Sequence, residues 1–209
     1  VVVFELLINI NLFDDFEIMK TTEIQGMQRR VGAVPDGFWG PKSIAACRMH
    51  LRKLMPSLSP WPRSDQASMK AFYGVPGDED NLVVLTFPFP MFYDGRRVLT
   101  TRCHRRVKDS LLQVLTAIGQ RVGDDQEVME EAEDYGGVFN FRNKKGGTTL
   151  SMHAWGAAID LDADDNTFRD SWPMQADMPL EIMEEFAREG WISAGAFWGY
   201  DAMHFQATQ

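Results

Sequence analysis

The sequence predicts an α+β protein in which helices flank a small antiparallel sheet, preceded by a small helical module. Three observations predict it. Apolar residues recur at helical spacing in four segments, short apolar runs bounded by Gly and Pro read as strands, and the two kinds of segment are mixed without the βαβα rhythm of a parallel sheet. Hydrophobic residues make up 44% of the 209, with six Trp and fourteen Phe, enough apolar mass for a packed core. The length leaves room for one good-sized domain and a small module. No internal repeat or low-complexity tract is present.

The opening Val1–Phe13 is apolar but contains Glu5 and lacks a positive start. It is shorter than the roughly 20 apolar residues that span a bilayer. It therefore reads as neither signal peptide nor membrane anchor, and stable membrane insertion is not expected. Met19-Lys20 resembles a natural start, which makes residues 1–18 an N-terminal extension.

From Thr21 the pattern is helical, with Ile24, Met27 and Val31 on one side and Arg29 and Arg30 opposite. Gly32 stops that helix, and Pro35-Asp36-Gly37 signals a turn. Gly40-Pro41 opens a second helix with Pro in the favoured first turn. Its stripe is Ile44, Cys47, Leu51 and Leu54, and Pro56 ends it. Residues 19–56 thus form a small helical module dependent on its own tight packing. Residues 57–78, with Pro60, Pro62, Pro76 and several Ser and Gly, read as a linker that becomes ordered near its end.

The main domain occupies residues 79–209. Leu82–Phe89 is a β-like run cut by Pro88 and Pro90, and Val107, Leu111, Val114, Ile118 and Val122 form an amphipathic helix. Ala157–Leu161 reads as a short strand, Leu180–Arg188 as a helix with Gly190 beyond its end, and Met203–Gln206 as a terminal strand. Cys47 and Cys103 both lie in stretches that read as helical and far apart, so buried free thiols are expected in place of a disulfide or a zinc ribbon.

The net charge of −9 is unevenly placed. Residues 19–56 carry seven Lys/Arg against two acids, whereas residues 57–209 carry 14 bases against 24 acids. A basic module on an acidic body predicts that the module meets an anionic surface. The body would repel nucleic acid, so an anionic cell envelope fits better and no nucleic-acid partner is expected.

The chemistry concentrates in Ser151-Met-His153-Ala-Trp-Gly156-Ala-Ala-Ile-Asp160 and in Asp201-Ala-Met-His204. Two His and two Asp are the material of a mononuclear zinc site with an additional carboxylate. A hydrolytic zinc needs three protein ligands, an open position for water, and a nearby group to manage that water's proton. With no thiolate, such a site reads as catalytic and not structural. On a strand, Ile159 and Leu161 face the core while Asp160 faces the other way. Likewise Met203 and Phe205 would be buried while His204 and Gln206 share the opposite face. Asp201 then needs a turn near Asp201-Ala202 to join them. Gly156 lets the chain bend between His153 and the strand. The alternative for each His is a hydrogen-bonded structural role, and on the residues alone both remain open. The acidic run Asp160, Asp162, Asp164 and Asp165 fails as an EF-hand loop, because Asp165 stands where Gly is needed and Ser171 where Glu is needed. Asp162, Asp164 and Asp165 are expected to be solvated.

The pattern Ser-x-His-x6-Asp followed by Asp-x-x-His resembles the zinc D-alanyl-D-alanine carboxypeptidases and L-alanyl-D-glutamate endopeptidases, which include many bacteriophage endolysins. The resemblance covers about residues 80–209. It implies that His153, Asp160 and His204 bind Zn²⁺ and that Asp201 is the catalytic base. It also implies an upstream Arg, placed here at Arg142 in Phe139-Asn-Phe-Arg142, to hold a substrate carboxylate or the developing oxyanion; the alternative for Arg142 is a surface ion pair. Ser151 would contact substrate or support the site. The stretch Gly195-Ala-Phe-Trp198-Gly-Tyr200 lacks the longer tryptophan-containing insertion of relatives, and Trp198 is a candidate substrate contact there.

Residues 24–54 resemble the short peptidoglycan-binding module, through Gln28, Pro35-Asp36-Gly37 and Gly40-Pro41-Lys42-Ser43. That resemblance implies wall binding through Asp36, Phe38 and Trp39, with either aromatic stacking on a sugar or serving as core. Together the two resemblances imply a monomeric zinc peptidase acting on bacterial peptidoglycan. It would act first in the host cytoplasm, then at the periplasm and cell wall once a phage pore admits it. L-Ala–D-Glu is the bond first expected, with terminal D-Ala-D-Ala as the alternative. A non-catalytic zinc-containing wall-binding protein is the rival from another class.

Overall fold

A computed structural model describes residues 21–209; the expected extension over residues 1–18, together with residues 19 and 20, lies outside the described residues. Helices α1 (Thr21–Val31) and α2 (Pro41–Leu54) form the N-terminal pair. The loop between them is organised by Gln28, which is fully buried. Its amide nitrogen lies 2.8 Å from Asp36 Oδ1, 3.0 Å from the Phe38 carbonyl and 2.9 Å from Ser43 Oγ, while its oxygen accepts from the Gly37 N–H at 2.9 Å. One buried amide thus satisfies a turn that has no sheet or helix ladder of its own.

The stretch expected as a linker holds α3 (Gln66–Tyr73), capped by Asp65, whose carboxylate accepts from the Ser68 N–H at 2.9 Å. Trp61, Met69 and Tyr73 are buried in the common core, and the Tyr73 hydroxyl donates to the Ala207 carbonyl at 2.8 Å. Prolines there make rigid corners between packed anchors instead of a tether.

Strands β1 (Leu82–Tyr93) and β2 (Arg96–His104) form a two-stranded antiparallel sheet. The strand runs on through Pro88 and Pro90 because they fall inside the register break between Thr86 and Met91, where no ladder N–H is required. Asp94 and Gly95 turn the hairpin, both with positive φ (49° and 67°), the geometry that favours Asp-Gly. Cys103 therefore lies on a strand, not a helix; its cross-strand partner Val83 is set by the hairpin and not by local pattern. Both cysteines are buried and free.

Helix α4 (Lys108–Val122) packs its stripe of Leu111, Val114, Leu115, Ile118 and Val122 inward. Helix α5 (Gln126–Glu133) follows, then β3 (Tyr135–Gly137), a one-turn 3₁₀ helix (Met152–Trp155) and β4 (Ala158–Leu161). Helix α6 (Leu180–Arg188), β5 (Ile192–Ser193), α7 (Ala194–Trp198) and β6 (His204–Gln206) complete the chain. The second sheet is antiparallel in the order β3-β4-β6-β5.

The N-terminal pair does not stand alone. Helix α2 packs on α6 and α7, and Glu184 of α6, 3% exposed, gathers polar partners from three helices. Arg30 of α1 grips it through two bonds at 2.8 and 2.7 Å, His50 of α2 lies 2.7 Å away, and Arg121 of α4 also pairs with it. Arg48 donates to the Ala196 carbonyl at 3.2 Å, and Arg52 lies over the Phe197 ring. The module's positive charge was expected to face outward. Part of it instead meets the body: Arg30 pairs with carboxylates of α6, and Arg48 and Arg52 contact a carbonyl and a ring of α7. The expectation of a self-sufficient helical pair gives way to a shared core.

Candidate metal centre

Asp160 and His204 are direct cross-strand partners in β4 and β6, so their side chains leave the same face of the sheet. The neighbouring pair, Ile159 and Phe205, points into the core. His153 reaches that face from the 3₁₀ helix. Gly156 ends the helix in the left-handed conformation (φ 65°) and lets the chain turn into β4. A Cβ at Gly156 would come within 2.8 Å of Leu82 and 3.0 Å of the His104 nitrogen, so the bend is closed to larger residues.

Three atoms converge. His153 Nε2 lies 3.1 Å from Asp160 Oδ1 and 3.1 Å from His204 Nδ1, and His204 Nδ1 lies 2.8 Å from Asp160 Oδ1. The outer nitrogens fix the tautomers. His153 Nδ1 donates to the Val138 carbonyl at 2.7 Å. His204 Nε2 donates to Gln206 Oε1 at 3.2 Å, and the Gln206 amide is itself oriented by donating to Thr208 Oγ1 at 2.5 Å. Both facing nitrogens therefore carry lone pairs in the neutral rings. Two lone pairs and a carboxylate oxygen, all buried and aimed at one point, repel unless a positive charge sits between them. Burial opposes charge on His204, yet the hydrogen bond and charge of Asp160 outweigh it and raise its pKa. Burial would likewise raise Asp160, but His153 and His204 hold it well below the usual carboxylate range.

A point just off the plane of this triangle lies about 2.0–2.1 Å from every corner, the ordinary Zn–N and Zn–O distance. Two imidazoles and one carboxylate, with no thiolate, suit borderline Zn²⁺ and leave an outer position open. The outer partners Val138 and Gln206 are the kind that orient ligating imidazoles. His153, Asp160 and His204 thus fit a zinc ion.

Asp201 faces the same cleft. Its φ of 60° and the His204 N–H bond to its carbonyl (3.0 Å) make the turn that brings it beside the trio. Burial raises its pKa and the Asp160 charge adds to this, against His204, His153 and Arg142. Arg142 lines the cleft with Nη2 4.0 Å from Asp160 Oδ2. Ser151 caps the 3₁₀ helix, its oxygen accepting from the His153 N–H at 3.4 Å, and also lines the cleft. Trp198 lies against His204, ring centroids 5.9 Å apart and planes 27° apart. The cleft encloses about 690 Å³.

The module residues go elsewhere. Asp36 spends its carboxylate on its own loop, where the Phe38 N–H and then Gln28 hold its pKa down. Trp39 is only 8% exposed and meets Trp172 edge-on at 5.5 Å, so its ring is not open to stack on a sugar; Phe38 is 71% exposed. Asp164 and Asp165 are exposed as expected, but Asp162 is buried against Glu131, Asp177 and Asn166. Burial, then the hydrogen bond and charge of Asp162, pushes the Glu131 carboxyl well above the usual range. Of the remaining histidines, His104 is held neutral by burial, its Nε2 donating to the Tyr73 carbonyl at 2.9 Å, and His50 belongs to the Glu184 cluster.

Sequence reasoning missed Gln206 as a partner of His204, although the shared strand face was a usable signal. It also missed Phe168, Tyr200, Lys144 and Lys145 in the cleft wall. Phe168 carries no local mark of the site and is brought there by the path of the chain, whereas the lysines lie two and three residues beyond Arg142.

Residues 145–207 match a family model described as D-alanyl-D-alanine carboxypeptidase. The matched span is under a third of the 209 residues, contains His153, Asp160, Asp201 and His204, and begins just after Arg142. No curated protein and no solved structure matches the chain. The match supports a metallopeptidase of that kind, centred on the segment that carries the converging side chains.

Proposed function

We propose that the chain is a zinc-dependent peptidoglycan peptidase, an endolysin that hydrolyses the L-Ala–D-Glu amide of the stem peptide. One observation carries the reading: three buried lone-pair donors from separate parts of the chain meet at a single point, with Asp201 in the same cleft. A zinc ion held by His153, Asp160 and His204 would supply Lewis acidity and a water whose pKa falls from about 15.7 toward neutrality. The chain's own residues do the rest. Asp201 takes a proton on its carboxylate as water adds to the amide carbonyl, then passes it to the leaving nitrogen. Arg142, on the cleft wall, orients a substrate carboxylate or meets the charge that develops on the carbonyl oxygen. Ser151 holds the helix that presents His153, and Trp198 borders the substrate's path.

In this reading the N-terminal helices keep the enzyme on its insoluble substrate, with Phe38 the exposed aromatic contact. Terminal D-Ala-D-Ala cleavage is a second reading, favoured by the description of the matching family. Mass spectrometry of digested muropeptides separates the two. The mechanism is tested by two variants: His153→Ala is expected to lose zinc, and Asp201→Ala to retain zinc while losing hydrolysis by about 10²–10⁴-fold. A fully active Asp201→Ala enzyme would remove the mechanism. Chelation that abolishes wall lysis but leaves wall binding separates the enzyme from a non-catalytic wall-binding protein.

A further inference from the structure

The cleft has two unlike walls. One is aromatic and continuous: from His204, Trp198 is followed by Tyr200 at 6.3 Å and by Phe168 at 5.8 Å from Tyr200. The other is a short hairpin in which Asn143 pairs with Leu150 and the Lys144 N–H donates to the Thr149 carbonyl at 2.8 Å. The Gly147 N–H closes its tip onto the Lys144 carbonyl at 3.0 Å. That tip carries Lys144 and Lys145 into the cleft lining next to Arg142. Lys145 reaches toward the opposite wall, with Nζ 5.6 Å from the centre of the Phe168 ring.

Over residues 57–209 acids outnumber bases 24 to 14, and the bases that do form ion pairs there include Arg102, Arg121 and Arg188, each with a glutamate. Among the described residues neither Lys144 nor Lys145 has a carboxylate within 4.0 Å. The cleft's own acids, Asp160 and Asp201, are assigned to metal binding and proton transfer. With Arg142, the hairpin therefore presents three positive charges along one edge of a cavity of about 690 Å³. Such an edge favours a ligand carrying more than one carboxylate. Lysines are point charges on flexible stems, suited to carboxylates at adjustable spacing more than to one rigid two-point grip.

We propose that Lys144 and Lys145 are specificity-determining residues that pair with free carboxylates of the bound peptide, so that the cleft selects acidic stem peptides over their amidated counterparts. This rests on the peptidase reading above. The amide to be cut lies at the Asp201 end of the cleft, and the carboxylates lie along the hairpin.

The experiment compares hydrolysis of a muropeptide bearing a free α-carboxylate on its second residue with the same muropeptide amidated there. The enzymes are the zinc-loaded full chain, Lys144→Ala/Lys145→Ala and Lys144→Arg/Lys145→Arg. Two exposed ion pairs predict a wild-type preference for the acid of roughly 5- to 10-fold, seen in KM and shrinking with added salt. The double alanine variant should lose the preference through KM and not kcat, and the double arginine variant should recover it. An undiminished preference in the alanine variant, or equal use of both substrates by the wild type, overturns the proposal. Failure of the peptidase reading looks different: the wild type then cuts neither substrate, and the proposal falls with it.

Discussion

At the scale of single residues, the centre depends on side chains that hold the metal-binding residues in place. Gln206 fixes the tautomer of His204 through its Oε1, and Thr208 fixes Gln206. Gln206→Leu keeps the three donors but lets the His204 ring choose either tautomer. Such a change is expected to weaken zinc binding about 10–100-fold while the fold persists. Competition against a coloured chelator measures it; unchanged affinity would mean that Gln206 does not orient the ring. Gln28 has the equivalent part in the N-terminal loop, where one amide holds Asp36, Gly37, Phe38 and Ser43. The same loop turns Trp39 inward and Phe38 outward, which a sequence containing both side by side cannot distinguish.

At the scale of elements, the 3₁₀ helix and β4 act as one device, because the bend at Gly156 sets where His153 meets Asp160. Gly156→Ala forces an unfavourable positive φ and a contact of 2.8 Å with Leu82. The expected cost is at least about 1–2 kcal/mol, together with displaced His153 and weakened metal binding. Thermal melts with and without zinc read both effects, and zinc should raise the variant's melting temperature less than the wild type's. Element pairing also accounts for what was legible locally. Helix α6 matches the expected Leu180–Arg188, and β4 and β6 lie within their expected runs, since apolar spacing alone identifies them. Strand β2 was missed although Asp94-Gly95 is a hairpin signal, and α5 was missed although Asp125 caps it. In both, the turn or cap was readable and the apolar pattern was weak.

At the scale of the whole molecule, Glu184 ties α1 and α2 to α4 and α6. The hydrogen bonds from Arg30, Arg121 and His50 overcome its burial and hold its pKa at about 2. In the unfolded chain the same carboxyl titrates near 4.5. A depressed acid stabilises the fold above its unfolded pKa, and that contribution drains away as pH falls from about 4.5 to 2. It amounts to up to about 3 kcal/mol. Denaturant melts at pH 7 and pH 3 should show this loss. Glu184→Gln should be less stable at pH 7 by about 3–5 kcal/mol, since two arginines lose a buried partner, and should lose less than the wild type on acidification. Equal acid sensitivity in both proteins would move the linkage to other groups. Arg30 and His50 come from the expected wall-binding module, so its attachment to the body should weaken over the same acidic window.

The sequence by itself determined the α+β class, the positions of the strong helices, and the set of residues able to form a zinc site. These are local properties: apolar periodicity, breaker residues, and His and Asp at fixed spacing in short segments. Only the tertiary structure decided which donors meet, which tautomers they hold, which of two adjacent aromatics is exposed, and where the module's positive charge is spent. Those outcomes depend on cross-strand register and on partners more than 40 residues away, such as Asp160 with His204 or Arg30 with Glu184. No window along the chain contains both ends of such a contact, so its energy becomes visible only once the chain has folded back on itself.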